Sequence, residues 1–192
     1  HRYILVMLTV SIPCVPAFAF IGGSADLYIT RLGFSEQVYG YFFGFNALAF
    51  VLAPLAFSRA VRRVPLFRLM PLALCGMLAS ALLLVCPFPP MPWRLTLPMF
   101  TLTFCYAFCR PAGNNLILEQ VDRDTGAASS LMVFGHFMIG STAMAVFSLD
   151  WPDKLTTLAV MGVAAVTVSL ALWTVVRRWI VPAAADGGTA EV

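Results

Sequence analysis

The sequence predicts an all-α membrane protein with six transmembrane helices, and three observations carry that prediction. Only 11% of the residues are charged while 60% are hydrophobic, and the mean hydropathy is +0.88. A soluble domain is typically near a quarter charged, so this chain has too few charges to keep its surface in water. The apolar runs are about 20 residues long, which is the length that crosses a hydrocarbon core as a helix. They are apolar on every face, whereas outer-membrane barrel strands alternate apolar and polar over about ten residues. The connections between the runs are short and rich in helix breakers.

Taken in order, the runs are Tyr3–Ile29, Val38–Ala60, Leu66–Cys86, Leu95–Leu118, Ala127–Leu149 and Leu155–Ile180. In the first, Pro13 and Pro16 break the hydrogen-bond ladder and free the carbonyls of Thr9 and Ile12. Gly22, Gly23 and Ser24 allow further bending before Asp26, near the outer mouth. A broken helix of this kind suits a hinge or gate, or is an ordinary kink that shapes packing. The loop 30–37 with Gly33 leads to the second run, and the arginine-rich turn 58–65 to the third. Residues 87–94, with four prolines, precede the fourth run. The acidic loop 119–126 precedes the fifth, and 150–154 precedes the sixth. Residues 1–181 form one six-helix bundle, and Pro182–Val192, PAAADGGTAEV, is expected to be a disordered cytoplasmic tail. The chain opens at His1 without an initiator methionine or a signal-peptide pattern, and is read as beginning inside a longer protein.

Orientation follows from the cations of the short loops. With the first residue cytoplasmic, Arg2, Arg59, Arg62, Arg63, Arg68, Arg123, Arg177 and Arg178 fall inside, and Arg31, Arg94 and Lys154 outside. Both ends are therefore expected in the cytoplasm. Trp93, Trp151 and Trp179 stand at run ends, where interfacial anchors belong. The six helices divide into two groups of three with inverted topology. The second run of each group is glycine-rich: Gly40 and Gly44 in one, Gly126, Gly135 and Gly140 in the other.

The few polar groups inside the runs are the candidate site. Arg110 is the costly one, since an arginine within hydrocarbon is tolerated only where it faces a protein interior or a wet cavity. Thr103, Tyr106, Arg110 and Asn114 recur every three or four residues and share a helix face. They form a cavity wall for anionic or hydrogen-bonding groups, or else Arg110 is structural, tied to helix-end carbonyls and to Glu119 or Asp122. In the second run Tyr39, Phe43, Asn46 and Phe50 make another single-face stripe, with Asn46 near mid-membrane as a substrate contact or interhelical glue. His136, in the middle of the fifth run, is a proton relay or a neutral packing residue. Gly40-x-x-x-Gly44 can bring two helices together but is common in membrane helices.

Enzyme chemistry is not expected. Gly23-Ser24-Ala25 and His136 supply a serine and a histidine, but Ser24 sits at the outer end of the first run without a strained elbow. The other histidine is His1, the five cysteines lack Cys-x-x-Cys spacing, and no metal or cofactor is expected. All nine acidic residues fall at run ends, in loops or in the tail. A coupling carboxylate, where one operates, then belongs to another part of the protein. A non-catalytic assembly subunit or a channel half is the alternative to a carrier.

Three stretches carry a family resemblance: Phe18–Leu48, FAFIGGSADLYITRLGFSEQVYGYFFGFNAL; Arg59–Met70, RAVRRVPLFRLM; and Arg110–His136, RPAGNNLILEQVDRDTGAASSLMVFGH. Over about residues 2–180 the chain resembles the C-terminal half of a major facilitator superfamily transporter, closest to the Bcr/CflA multidrug efflux (drug:proton antiporter) type. It departs from that pattern at Ser24-Ala25, where Ser-Pro is usual, and at Arg110 before the proline. The resemblance implies a twelve-helix parent in a bacterial inner membrane, working by alternating access. Its partners would be the N-terminal six-helix half, the lipid bilayer, a small-molecule substrate and protons, and no nucleic acid. The first, second, fourth and fifth helices would wall a central cavity, with the third and sixth on the outside. Tyr39, Phe43, Asn46, Tyr106, Arg110, Asn114 and His136 are then the cavity candidates. Arg59, Arg62 and Arg63 would form a cytoplasmic latch, or serve as positive-inside anchors.

Overall fold

The structure, a computed structural model, describes the backbone of residues 2–121 and 123–186 and the side chains up to Arg178. His1, Asp122, the Trp179 side chain and tail residues 187–192 lie outside that description. Among the described residues all regular structure is helical. In chain order the elements are α1 (Arg2–Ser11), α2 (Cys14–Ala25) running into a π-helical turn (Asp26–Arg31), α3 (Glu36–Ala60), α4 (Leu66–Leu83), α5 (Trp93–Leu118), α6 (Thr125–Ser148) and α7 (Lys154–Asp186). The last helix thus continues six residues past Ile180 and into the segment expected to be disordered.

The first run is not one rod. It breaks at Ile12-Pro13, and the two pieces meet at 41°. Proline at 13 removes an N–H and clashes with the preceding turn, which places the bend there. Pro16 lies in the first turn of α2, where a missing donor costs nothing. The Ile12 carbonyl, expected to be left open, instead accepts from the Val15 N–H at 3.1 Å.

Four helices are long and apolar enough to cross a membrane: α3, α4, α6 and α7, with the bent α1–α2 pair as a fifth if it counts as one span. At 26 residues α5 has the length of a span. Arg94, Arg110, Asn114, Asn115 and two internal prolines make it less apolar than the other four. The surface carries many large apolar side chains, among them Leu72, Phe134, Phe137 and Val160. Isolated exposed apolar residues are ordinary, but this density along long apolar helices is that of an integral membrane protein.

Packing is centred on α5, which touches α1, α2, α3, α4 and α6. Behind it, α4 and α7 pack on each other, and α7 also covers α1 and α2. In front, α3 packs on α5 and α6 on α2. Burial is uneven: 17% of the apolar window of α3 and 22% of that of α6 is covered, against 39% for both α4 and α7.

Helix ends obey ordinary capping chemistry. Ser35 Oγ accepts the Val38 N–H at the start of α3, with Glu36 in the favourable first turn. Asp153 caps α7: its Oδ1 accepts the N–H groups of Leu155 and Thr156 at 3.0 and 3.2 Å. Its Oδ2 accepts the Thr156 hydroxyl, which together with these amides holds the carboxyl below the usual carboxylate range. A lowered value means that the cap stabilises above the unfolded-chain pKa and is lost as pH falls through the folded one. Asp153→Ala is therefore expected to cost about 0.5–2 kcal/mol near neutral pH. Faster amide exchange confined to the first turn of α7 is the readout, and unchanged protection there refutes the assignment.

Candidate functional site

The site grows from one helical turn. Tyr106 and Arg110 are four residues apart on α5, and helical side chains lean toward the N-terminus. Arg110 therefore reaches back, and its Nη1 donates to Tyr106 Oη at 3.0 Å. The guanidinium carbon lies 5.8 Å from the Tyr106 ring centre. This direction is away from Glu119, so Arg110 does not snorkel toward the acidic loop. Among the described residues it forms no ion pair.

From α6, His136 completes the cluster. Its Nε2 lies 2.7 Å from Tyr106 Oη and within hydrogen-bond contact of Arg110 Nη1. A guanidinium only donates, so Nε2 is the acceptor and the ring proton sits on Nδ1. The Tyr106 and His136 rings lie parallel, 3° apart in plane. Phe18 of α2 and Phe137 of α6 present edges to the imidazole with centroids at 5.5 and 6.0 Å. Tyr106 and His136 are buried, and Arg110 is half-buried. Two neutral groups thus hold a permanently charged one at the wall of a hollow.

That hollow is a cleft of about 320 Å³ walled by α2, α3, α5 and α6. Phe18, Ile21, Phe50, Pro54 and Phe137 supply the apolar surface, while Tyr106, Arg110 and His136 supply the polar corner. Phe50 stands edge-on to Tyr106 at 6.3 Å. A second hollow of about 40 Å³ shares Arg110, His136 and Phe137 with the cleft and is lined also by Ser11, Asn114 and Met132 among others. A larger groove of about 410 Å³ between α2, α6 and α7 is lined by Val15, Ile139, Val146 and Met161, and contains no ionisable group. It matches an acyl chain better than a polar ligand, so the chemistry belongs to the smaller cleft.

Of the residues singled out in the sequence, Tyr106, Arg110 and His136 come together at the cleft, and Asn114 lines the smaller hollow with Arg110 and His136. Thr103, on the same face, is buried with its Oγ1 unpartnered. The α3 stripe divides. Phe50 reaches the cleft, while Asn46 is buried with its Oδ1 unpartnered. Tyr39 hydrogen-bonds Ser24 Oγ at 2.9 Å, and Phe43 packs against the Tyr39 ring. These two sit toward the N-terminal end of α3, in an aromatic group with Tyr28 and Phe42. Arg59 donates to the Leu55 carbonyl of its own helix, and Arg62 and Arg63 are exposed in the following turn. None of the three forms an ion pair among the described residues.

Some features were not visible in the sequence. Lys154 is buried, its Nζ 2.8 Å from Asp26 Oδ2, and Arg31 lies 3.5 Å from the same oxygen. Arg31 also donates to the Trp151 and Pro152 carbonyls. The Asp26 end of the bent first helix is thereby clamped to the α6–α7 loop. Gly40 and Gly44 face open space, whereas Gly23 and Gly140 are sites of close α2–α6 contact. Among the described residues no group of three His, Cys, Asp or Glu side chains could hold a metal. Comparison with protein-family models and with curated proteins gives no match to this chain.

Proposed function

We propose that the chain is one half of a secondary active transporter that moves small amphipathic molecules by alternating access. In this reading α5 and the bent α1–α2 pair are spans like the other four, giving six in two inverted groups of three. The resemblance to the major facilitator superfamily, and within it to the Bcr/CflA efflux type, supplies the parent: a twelve-helix carrier exchanging substrate for protons. The supporting observation is the placement of Arg110, well inside α5. Arg110 borders a cleft walled in part by α3 and α6, the two least covered of the four long apolar helices. An ionisable group in this setting marks a substrate or ion path. The bare faces of α3 and α6 leave room for a complementary half to complete the hollow. Efflux, proton coupling and the cytoplasmic placement of both ends belong to the same proposal, with the coupling carboxylate on the absent half.

A substrate-independent experiment tests it. The five native cysteines are replaced, and single cysteines are placed at Phe50 and Asn114. Membrane-impermeant maleimides are then applied from each side of oriented vesicles. Alternating access requires labelling of both positions that switches sides when the conformation is trapped. Simultaneous labelling from both sides indicates a channel half, and protection from both sides indicates an assembly subunit. Either outcome removes the carrier reading.

A further inference from the structure

We infer that the cleft beside Arg110 is an anion-binding site whose ligand is a small carboxylate-bearing amphiphile with a compact apolar or aromatic body. This deepens, and rests on, the carrier reading above by naming its substrate class. The argument begins with donors. Arg110 has five N–H groups and no acceptor. Nη1 is engaged with Tyr106 Oη and His136 Nε2. Nε and Nη2 have no acceptor among the described residues, yet they are not among the buried unpartnered atoms. They therefore keep some exposed surface on a side chain that lines the cleft, and they form the edge of the guanidinium that binds a carboxylate through two parallel bonds.

Charge balance points the same way. Every ion pair among the described residues joins Asp26 or Asp150 to Arg31 or Lys154, at the other end of the bundle from the acidic loop. Glu119, the nearest acid along α5, is nine residues away, about 13 Å along the axis, in the direction opposite to the one Arg110 takes. Tyr106 and His136 orient the guanidinium without neutralising it. A cation held by neutral donors and acceptors in an apolar cleft is left short of one negative charge. A cationic ligand would add like charge there, and a neutral one would leave the deficit. Around this corner, Phe18, Phe50, Pro54 and Phe137 form a wall with no hydrogen-bonding side-chain atoms. Such a wall fits an apolar body and offers nothing to a second polar group.

The same charge could be supplied by the headgroup of an anionic lipid, so the test separates the two sources. The protein is reconstituted into nanodiscs of zwitterionic phosphatidylcholine and titrated with benzoate, benzamide and benzylammonium, which share one ring and differ in charge. Benzoate is expected to bind at least about tenfold more tightly than either of the others, a difference of about 1.4 kcal/mol. Arg110→Gln is expected to abolish that preference, and Arg110→Lys to keep it in weakened form. Equal binding of the three probes, or a preference that survives in Arg110→Gln, overturns the assignment. So does a tenfold loss of benzoate affinity on replacing a third of the lipid with phosphatidylglycerol when both measurements are made at about 1 M salt, where surface repulsion of the anion is screened; that loss would make the occupant a lipid headgroup. The wild-type comparison decides the matter even where a variant folds poorly. Side-switching maleimide labelling on the same preparation tests the carrier reading separately. Anion-blind binding with intact side-switching removes only the substrate class.

Discussion

Gly23→Ala is expected to destabilise the bundle, and by more than the equivalent change at Gly140. A Cβ at position 23 would lie 2.2 and 2.3 Å from two carbons of the Phe147 ring. That ring is fully buried and has the Lys154 ammonium 5.7 Å from its centre, so it has little freedom to withdraw. Overpacking of this kind costs about 1–3 kcal/mol, and the better helix propensity of alanine returns about 1 kcal/mol. The net loss at Gly23 should be about 1–2 kcal/mol, taking the upper part of that overpacking range. A Cβ at position 140 would lie 2.4 Å from the Phe18 ring, but Phe18 is only partly buried and borders the cleft. It can swing into that space, which lowers the penalty until the propensity gain nearly cancels it. Gly140→Ala should therefore leave stability almost unchanged while moving Phe18 off the His136 ring. Reversible unfolding in mixed micelles measures both. Phe147→Leu added to Gly23→Ala should recover most of the loss, since it removes the ring that the new methyl meets. Equal stability for Gly23→Ala and wild type, or greater damage at Gly140, would show that this interface is not packed as described.

How much of this was legible in the sequence depends on the range of the interaction. Helix positions came from the length of apolar runs, and the observed helices begin and end within a few residues of those runs except at the C-terminus. The break at Pro13 was legible because proline acts on its own backbone. The Tyr106–Arg110 pair was legible because its partners are one turn apart. The contact of both with His136 was not, since it depends on how α6 is rotated against α5. α6 is apolar nearly all round, and a helix without a polar face does not announce which side turns inward. The same blindness affected the glycines. Gly22 and Gly23 read as points of flexibility but serve as points of close approach, and the motif at Gly40 and Gly44 meets nothing. Packing against Met144 and Phe147, more than a hundred residues away, decided the first pair.

The Asp26–Lys154 clamp makes the second large expectation, because its two partners are unequally wet. The Lys154 side chain is 8% exposed and that of Asp26 36%, with Nζ and Oδ2 2.8 Å apart. Removing one partner of a fully buried pair costs about 3–5 kcal/mol, because the other is left as an uncompensated charge. Here the outcome should depend on which partner is removed. Asp26→Asn leaves the drier Lys154 beside Phe147 with no counter-charge, since Asp150 reaches only Arg31. The partial exposure of Asp26 discounts the full figure, and about 2–3 kcal/mol is expected. Lys154→Met keeps the buried stem and leaves Asp26 with water and the Arg31 guanidinium, so the cost should be about 1 kcal/mol or less, as for an exposed pair. The double variant should be more stable than Asp26→Asn alone, because it no longer buries a lone ammonium. Those three unfolding free energies, with wild type, close a double-mutant cycle and give the coupling directly. The clamp also ties the π-helical turn after α2 to the start of α7, both within this chain, so on the carrier reading proposed above a rocking motion about the cleft would keep it intact. Maleimide labelling at Phe50 and Asn114 should therefore still switch sides in the double variant. Asp26→Asn tolerated as well as Lys154→Met would mean that Lys154 is better solvated than its burial implies, and the clamp would then contribute no more than a surface ion pair.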